Sequence, residues 1–159
     1  MKTLVKRKST DYHKKRLNEL TELDRIACYL LAANWSKRYI GSYIYQQFIQ
    51  MNCVAACYVY DELWVASNDQ SLTYDDIQTM LNELGQNMTV YIVTNGTKNV
   101  MHAEMQLLSE LIQERKNLYG QYFGVSKPCC KRCKEELDKY GINYTHYHTS
   151  EVVNWQPPI

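Results

Sequence analysis

Four residues of this 159-residue chain have types and spacing that could do chemistry together: His102, Glu104, Cys130 and Cys133. Two cysteine thiolates and one neutral imidazole fill three of the four tetrahedral positions of a zinc ion, and the fourth stays open to water. An open position is what separates a catalytic metal from a structural one. Glu104, two residues after the histidine, is not needed as a fourth ligand. Beside the open position its carboxylate can take a proton from water and pass it to a substrate, the role of a general acid/base. His-x-Glu alone carries little information, and Cys-x-x-Cys is shared with structural zinc sites and redox pairs. Their joint occurrence, in this order, is what points to Zn2+ and catalysis.

The elements that must position these residues are legible around them. His102-Ala103-Glu104 opens a helix over residues 102–116, with Met105, Leu108, Leu111 and Ile112 on one face. Cys130-Lys131-Arg132-Cys133 opens a second helix over 131–140, stopped by Gly141. The positive end of a helix dipole favours thiolates, and cysteines three apart share a helix face. Strands are expected over Met88–Thr94, closed by the turn Asn95-Gly96, over Tyr119–Val125 and over Ile142–His148. Upstream, Cys53–Ser67 reads as a hairpin about the polar pair Asp61 and Glu62, and Tyr74–Leu84 as a helix that Gly85 ends. Leu17, Leu20, Leu23, Ile26, Leu30 and Leu31 recur at helical spacing, with Thr21 and Asp24 among the polar residues between them. A second helix is expected over Ser36–Gln50, with Gly41 a weak point.

An apolar share of 45% and a charged share of 22% are those of an ordinary soluble protein, and the length suits one domain. The expected organisation is a basic tail over 1–16 and a single domain over 17–159, helical over 17–52 with the chemical core over 53–159. The longest apolar run, Ile26–Ala33, is too short to span a membrane, and no secretory signal is read at the N-terminus, so the expected place of action is cytoplasmic. Residues 1–16 hold seven of the eighteen Lys/Arg but one of the seventeen acidic groups. Such a tail can hold a phosphate backbone, although most basic runs are simply solvated. Cys28, Cys53 and Cys57 lie in apolar stretches and read as core; the density at Cys129, Cys130 and Cys133 suits a metal better than disulfides.

His-x-Glu followed by Pro-Cys-x-x-Cys is the signature of zinc deaminases, and HAEMQLL followed by YFGVSKPCCKRC resembles the cytidine deaminase-like superfamily, in particular the nucleic-acid deaminase domains of bacterial polymorphic toxins. The resemblance covers about residues 53–155 in order of elements, with its sharp motifs between His102 and Cys133. It implies that His102, Cys130 and Cys133 bind zinc and that Glu104 shuttles protons. It also implies an α/β fold, a mixed sheet of about five strands sandwiched by helices, with the two metal-bearing helices side by side. Only about ten residues follow His148, too few for a crossover helix, so the last two strands are expected to be antiparallel. The implied activity is hydrolytic deamination of cytosine to uracil in nucleic acid, single-stranded DNA or RNA, as a toxin-type domain that would have an immunity protein as partner and could be delivered within a secreted toxin. A free nucleoside or nucleotide deaminase, acting on cytidine or adenosine, stays open, as does a non-catalytic zinc-stabilised binding module. One departure from the pattern is that Cys129 separates Pro128 from Cys130, so the ligand register favours Cys130 but is not unique.

For substrate contacts, an asparagine upstream of the His-x-Glu helix touches the sugar in related deaminases, which makes Asn95 and Asn99 candidates, and Trp155 is placed to rim a pocket. His146 and His148 alternate with Tyr144 on one strand and read first as packed or surface groups. Most of the fourteen tyrosines are expected to fill the core rather than stack on bases.

Overall fold

In a computed structural model of the chain, the residues described are 7–8, 21–38, 52–68, 73–93, 101–150, 152 and 155–159, with 7–8 and 33–38 described by backbone alone. The elements are β1 (Arg7–Lys8), α1 (Glu22–Arg38), β2 (Val54–Val59), β3 (Glu62–Ser67), α2 (Tyr74–Glu83), β4 (Thr89–Ile92), α3 (Ala103–Gln113), β5 (Gly124–Val125), α4 (Lys131–Lys139) and β6 (His146–Tyr147). Expected features at Leu17, Leu20, Gly41 and most of the second leading helix lie outside the described residues.

The sheet has the order β4-β3-β2-β5 and is mixed: β2 runs antiparallel to β3 and β5, and β3 runs parallel to β4. Strands β2 and β3 bury both faces, which is why they read as continuous apolar runs. Val54, Ala56, Leu63 and Val65 point to one side, where Leu23, Ile26, Leu30 and Leu31 of α1 and Ile77, Met80 and Leu81 of α2 cover them. Ala55, Cys57, Trp64 and Ala66 point to the other side, against α3 and α4. Two separate cores therefore flank one sheet, and each fully buried Leu or Ile in them contributes about 1.5–3 kcal/mol. The hairpin turn falls at Tyr60-Asp61, one residue earlier than expected, with Tyr60 at a positive φ of 57° and Val59 paired to Glu62.

A fifth strand is present in outline. The stretch from Asn143 to Tyr147 lies beside the stretch from Tyr122 to Cys129, joined by parallel bridges Tyr122↔Asn143 and Cys129↔Tyr147. β5 and β6 are joined through α4 and lie in parallel stretches, the helix between them supplying the long connection a parallel pair needs; the antiparallel pairing expected above concerns a different pair, the Ile142–His148 strand and one following it. No strand is assigned after β6 among the described residues, and 151, 153 and 154 lie outside them. The two described residues of the basic tail, Arg7 and Lys8, pair in parallel with His146 and Tyr147.

Two close approaches fix how the layers meet. Gly124 carries no Cβ, and one would fall 2.2 Å from the Leu23 carbonyl carbon, so α1 rests directly on the backbone of β5. At the same junction Asp24, 2% exposed, accepts from Thr21 N–H (3.1 Å), Val125 N–H (3.0 Å), Tyr122 Oη (2.7 Å) and Thr145 Oγ1 (2.6 Å). The Thr21 hydroxyl in turn accepts from the Asp24 N–H at 3.3 Å, a reciprocal pairing that starts α1. Among the described residues no helix is long and apolar enough to cross a membrane.

Candidate active site

His102 and Cys130 are the N-cap residues of α3 and α4, each with extended backbone at the point where the helix begins. The position follows from local sequence: Met105, Leu107, Leu108 and Leu111 bury α3 against the sheet, while Leu137 and Cys133 anchor α4 beside it. Gly141, at a φ of 72°, closes α4 as expected, with Ile142 N–H donating to Leu137 O at 2.9 Å.

Packing the helices side by side brings three side chains to one point. His102 Nδ1 lies 3.5 Å from Cys130 Sγ and 3.4 Å from Cys133 Sγ, and the donor atoms of all three lie within 4.8 Å of one another. Zinc–sulfur and zinc–nitrogen bonds at a tetrahedral angle separate N from S by about 3.6 Å. The donor types and the two N–S separations therefore fit a tetrahedral metal. Cys129, the competing register, is fully buried but outside this group; its N–H donates to His146 O at 3.0 Å, which places it in the strand-like bridge to β6.

The electrostatics divide the cysteines. Hydrogen bonds from the Cys133 thiol, His102 and the Cys133 amide pull the Cys130 thiol below the usual thiol range, against the effect of its burial. Burial raises Cys133 well above its ordinary value, with its hydrogen bond to Cys130 and then the Glu104 charge adding to the effect. The bond with Cys130 also raises His102. Cys53, Cys57 and Cys129 are pushed up by burial and stay protonated.

Glu104 lies in the first turn of α3, 3% exposed, and its charge acts on both His102 and Cys133. It is not a member of the three-donor group. Among the described residues the one hydrogen-bonding group that reaches its carboxylate is the Cys53 thiol, 3.7 Å away at the start of the hairpin. The core reading of Cys53 holds for its burial but missed this contact, which joins residues 51 apart and leaves no local signal.

Trp155 is half-buried, and its indole N–H donates to Cys133 Sγ at 3.3 Å. Its ring lies under the Arg132 guanidinium, 5.7 Å from centroid to carbon. It also lines a cleft of about 510 Å³ together with Lys131, Arg132, Glu135, Glu136, Ser150 and Val152. Trp155, expected at the rim of a pocket, lines this cleft, and its contact with the Cys133 sulfur could not be read from sequence. Asn95 and Asn99 lie outside the described residues. His146 is buried and His148 half-buried on the final strand, and neither joins the three-donor group. Of the tyrosines, Tyr144 is fully buried, Tyr58 half-buried and Tyr60 exposed in the hairpin turn, while Tyr91 stacks on Trp64 at 4.3 Å.

No curated protein and no solved structure matches the chain. Residues 101–159 match a family model described as an OTT_1508_deam-like deaminase, a segment that contains His102, Glu104, Cys130 and Cys133. It is less than half of the chain, and three strands of the sheet, β2, β3 and β4, and the helices α1 and α2 lie upstream of it. Motif, helix-start geometry and family match thus converge on one segment, which is similar to a deaminase.

Proposed function

We propose that the chain is a zinc-dependent hydrolytic deaminase that converts cytosine to uracil in single-stranded nucleic acid. The observation that carries this reading is a buried carboxylate, Glu104, placed beside a His/Cys/Cys donor group of which it is not a member. His102, Cys130 and Cys133 would hold the ion. Zinc, when bound with one position open, supplies Lewis acidity that makes water acidic enough to lose a proton near neutral pH.

The remaining chemistry belongs to Glu104. Its carboxylate accepts one proton of the attacking water and returns it to the ring nitrogen next to the amine-bearing carbon; it then takes the proton of the newly attached hydroxyl and delivers it to the amine, which leaves as ammonia as the carbon–oxygen bond becomes the carbonyl. Seclusion from solvent strengthens each transfer, since charge is poorly screened at a site almost closed to water. The Cys53 thiol donates to one carboxylate oxygen and so orients the group without neutralising it.

Nucleic acid as the substrate is supported by the family resemblance of the motif segment and by the concentration of basic residues in 1–16. The test presents the protein with single-stranded DNA, duplex DNA, RNA and free cytidine, with uracil scored in each, and with adenine-containing counterparts scored for hypoxanthine. Uracil formed preferentially in a single strand is expected. Product from the free nucleoside alone would replace the polymer substrate with a small one, and product from none, with zinc in place, would leave a binding module.

A further inference from the structure

The two cysteine sulfurs of the site are supported in different ways. Cys130 Sγ accepts the backbone N–H of Cys133 at 3.4 Å, a bond that any residue at 133 could supply. Cys133 Sγ is fully buried, and its supporting N–H, at 3.3 Å, comes from a side chain 22 residues further along the chain, the indole of Trp155. A buried thiolate without a donor would carry its charge unsolvated, so the identity of this donor matters to the ion that binds there.

We infer that Trp155 is a positioning residue of the metal centre: its indole N–H holds the Cys133 sulfur for coordination and ties the closing segment of the chain to occupancy of the centre. This rests on the reading of His102, Cys130 and Cys133 as metal ligands. An indole suits the task because its nitrogen is a donor only and cannot compete for the ion. The ring is held in place by the Arg132 guanidinium, and Arg132 directly precedes the ligand it supports. The ring packs against the core beside α3 and α4 and also lines the cleft, and space-filling there would not require an N–H aimed at the sulfur. Partners that orient metal ligands typically change metal affinity by about 10–100-fold when removed.

The test compares wild type with Trp155→Phe, which keeps an aromatic ring and removes the N–H. Zinc affinity is measured by chelator competition, and the sulfur-to-metal charge-transfer band by cobalt(II) substitution. The expected result is about 10–100-fold weaker zinc binding in the variant, with the band moved to lower energy because the sulfur has lost a hydrogen bond. A second measurement guards against a variant that does not fold: in wild type loaded with cadmium-113, a scalar coupling between the metal and one indole proton is expected across the N–H···S contact. Equal affinity and an unmoved band in the variant, or no such coupling in wild type, would overturn the role of Trp155 while leaving the metal site intact. A wild type that binds no metal would overturn the ligand reading and this inference with it.

Discussion

Asp24 and Glu104 are both acidic residues in the first turn of a helix, both are almost wholly buried, and they sit on opposite faces of the same sheet. Asp24 is saturated: two backbone N–H groups and the hydroxyls of Thr21, Tyr122 and Thr145 converge on it. Burial, and then the adjacent Asp24 charge, push the Tyr122 phenol up, so it remains a donor at any ordinary pH. Glu104 has a single thiol at 3.7 Å among the described residues, and its charge acts on His102 and Cys133 instead. A carboxylate whose lone pairs are all engaged is a joint between elements; one whose lone pairs are left available at a low-water site can accept and release protons. Burial alone does not distinguish the two, but the inventory of donors does.

The largest effect expected from this contrast is at Glu104. Glu104→Gln keeps the shape of the side chain and should retain zinc, yet lose at least about 10²–10⁴-fold in deamination rate, the usual contribution of a general acid/base. Metal analysis and uracil formation measured side by side on wild type and variant check this, and a variant that holds zinc and works at the wild-type rate would erase the contrast. Next is the ligand register: Cys130→Ser should lose or greatly weaken zinc, while Cys129→Ser, outside the donor group, should keep it. Zinc lost only from the second variant would move the site by one residue.

On the opposite face the signature should invert. Asp24→Ala leaves the N–H groups of Thr21 and Val125 without their acceptor and should cost about 3 kcal/mol in denaturant unfolding, with the rate per folded molecule unchanged. A normal stability with a collapsed rate would show that the joint takes part in the chemistry. The smallest change is Thr145→Val, which removes one donor from Asp24. It should lower stability by about 1 kcal/mol and leave zinc affinity where it was.

The same contrast explains what could be read from the chain. His102, Glu104, Cys130 and Cys133 were legible because each motif is local and opens its own helix, so spacing already determines which side chains share a face. Central strands β2 and β3 were legible from their β-branched and aromatic runs, and the stop at Gly141 from the left-handed conformation it adopts. Asp24 looked like an ordinary polar residue on an amphipathic helix, because Tyr122, Val125 and Thr145 lie about a hundred residues downstream and nothing local marks them as its partners. The Cys53–Glu104 and Trp155–Cys133 contacts were hidden for the same reason. Strand β6 was expected to be longer: Ile142–Tyr144 joins its neighbour by a single bridge at Asn143, and the regular ladder is confined to His146 and Tyr147.

The contact of Gly124 with Leu23 has a bearing on cooperativity. With the α1 backbone seated on the backbone of β5, and Asp24 fastened to Val125 next door, the leading helix cannot lift away without breaking the strand that precedes α4. The segment 101–159 is then a region of resemblance rather than an autonomous folding unit. Heat or denaturant should take both faces of the sheet apart in one transition, so that helix α1, which ends 92 residues before Cys130, melts at the same temperature at which the cluster of His102, Cys130 and Cys133 comes apart.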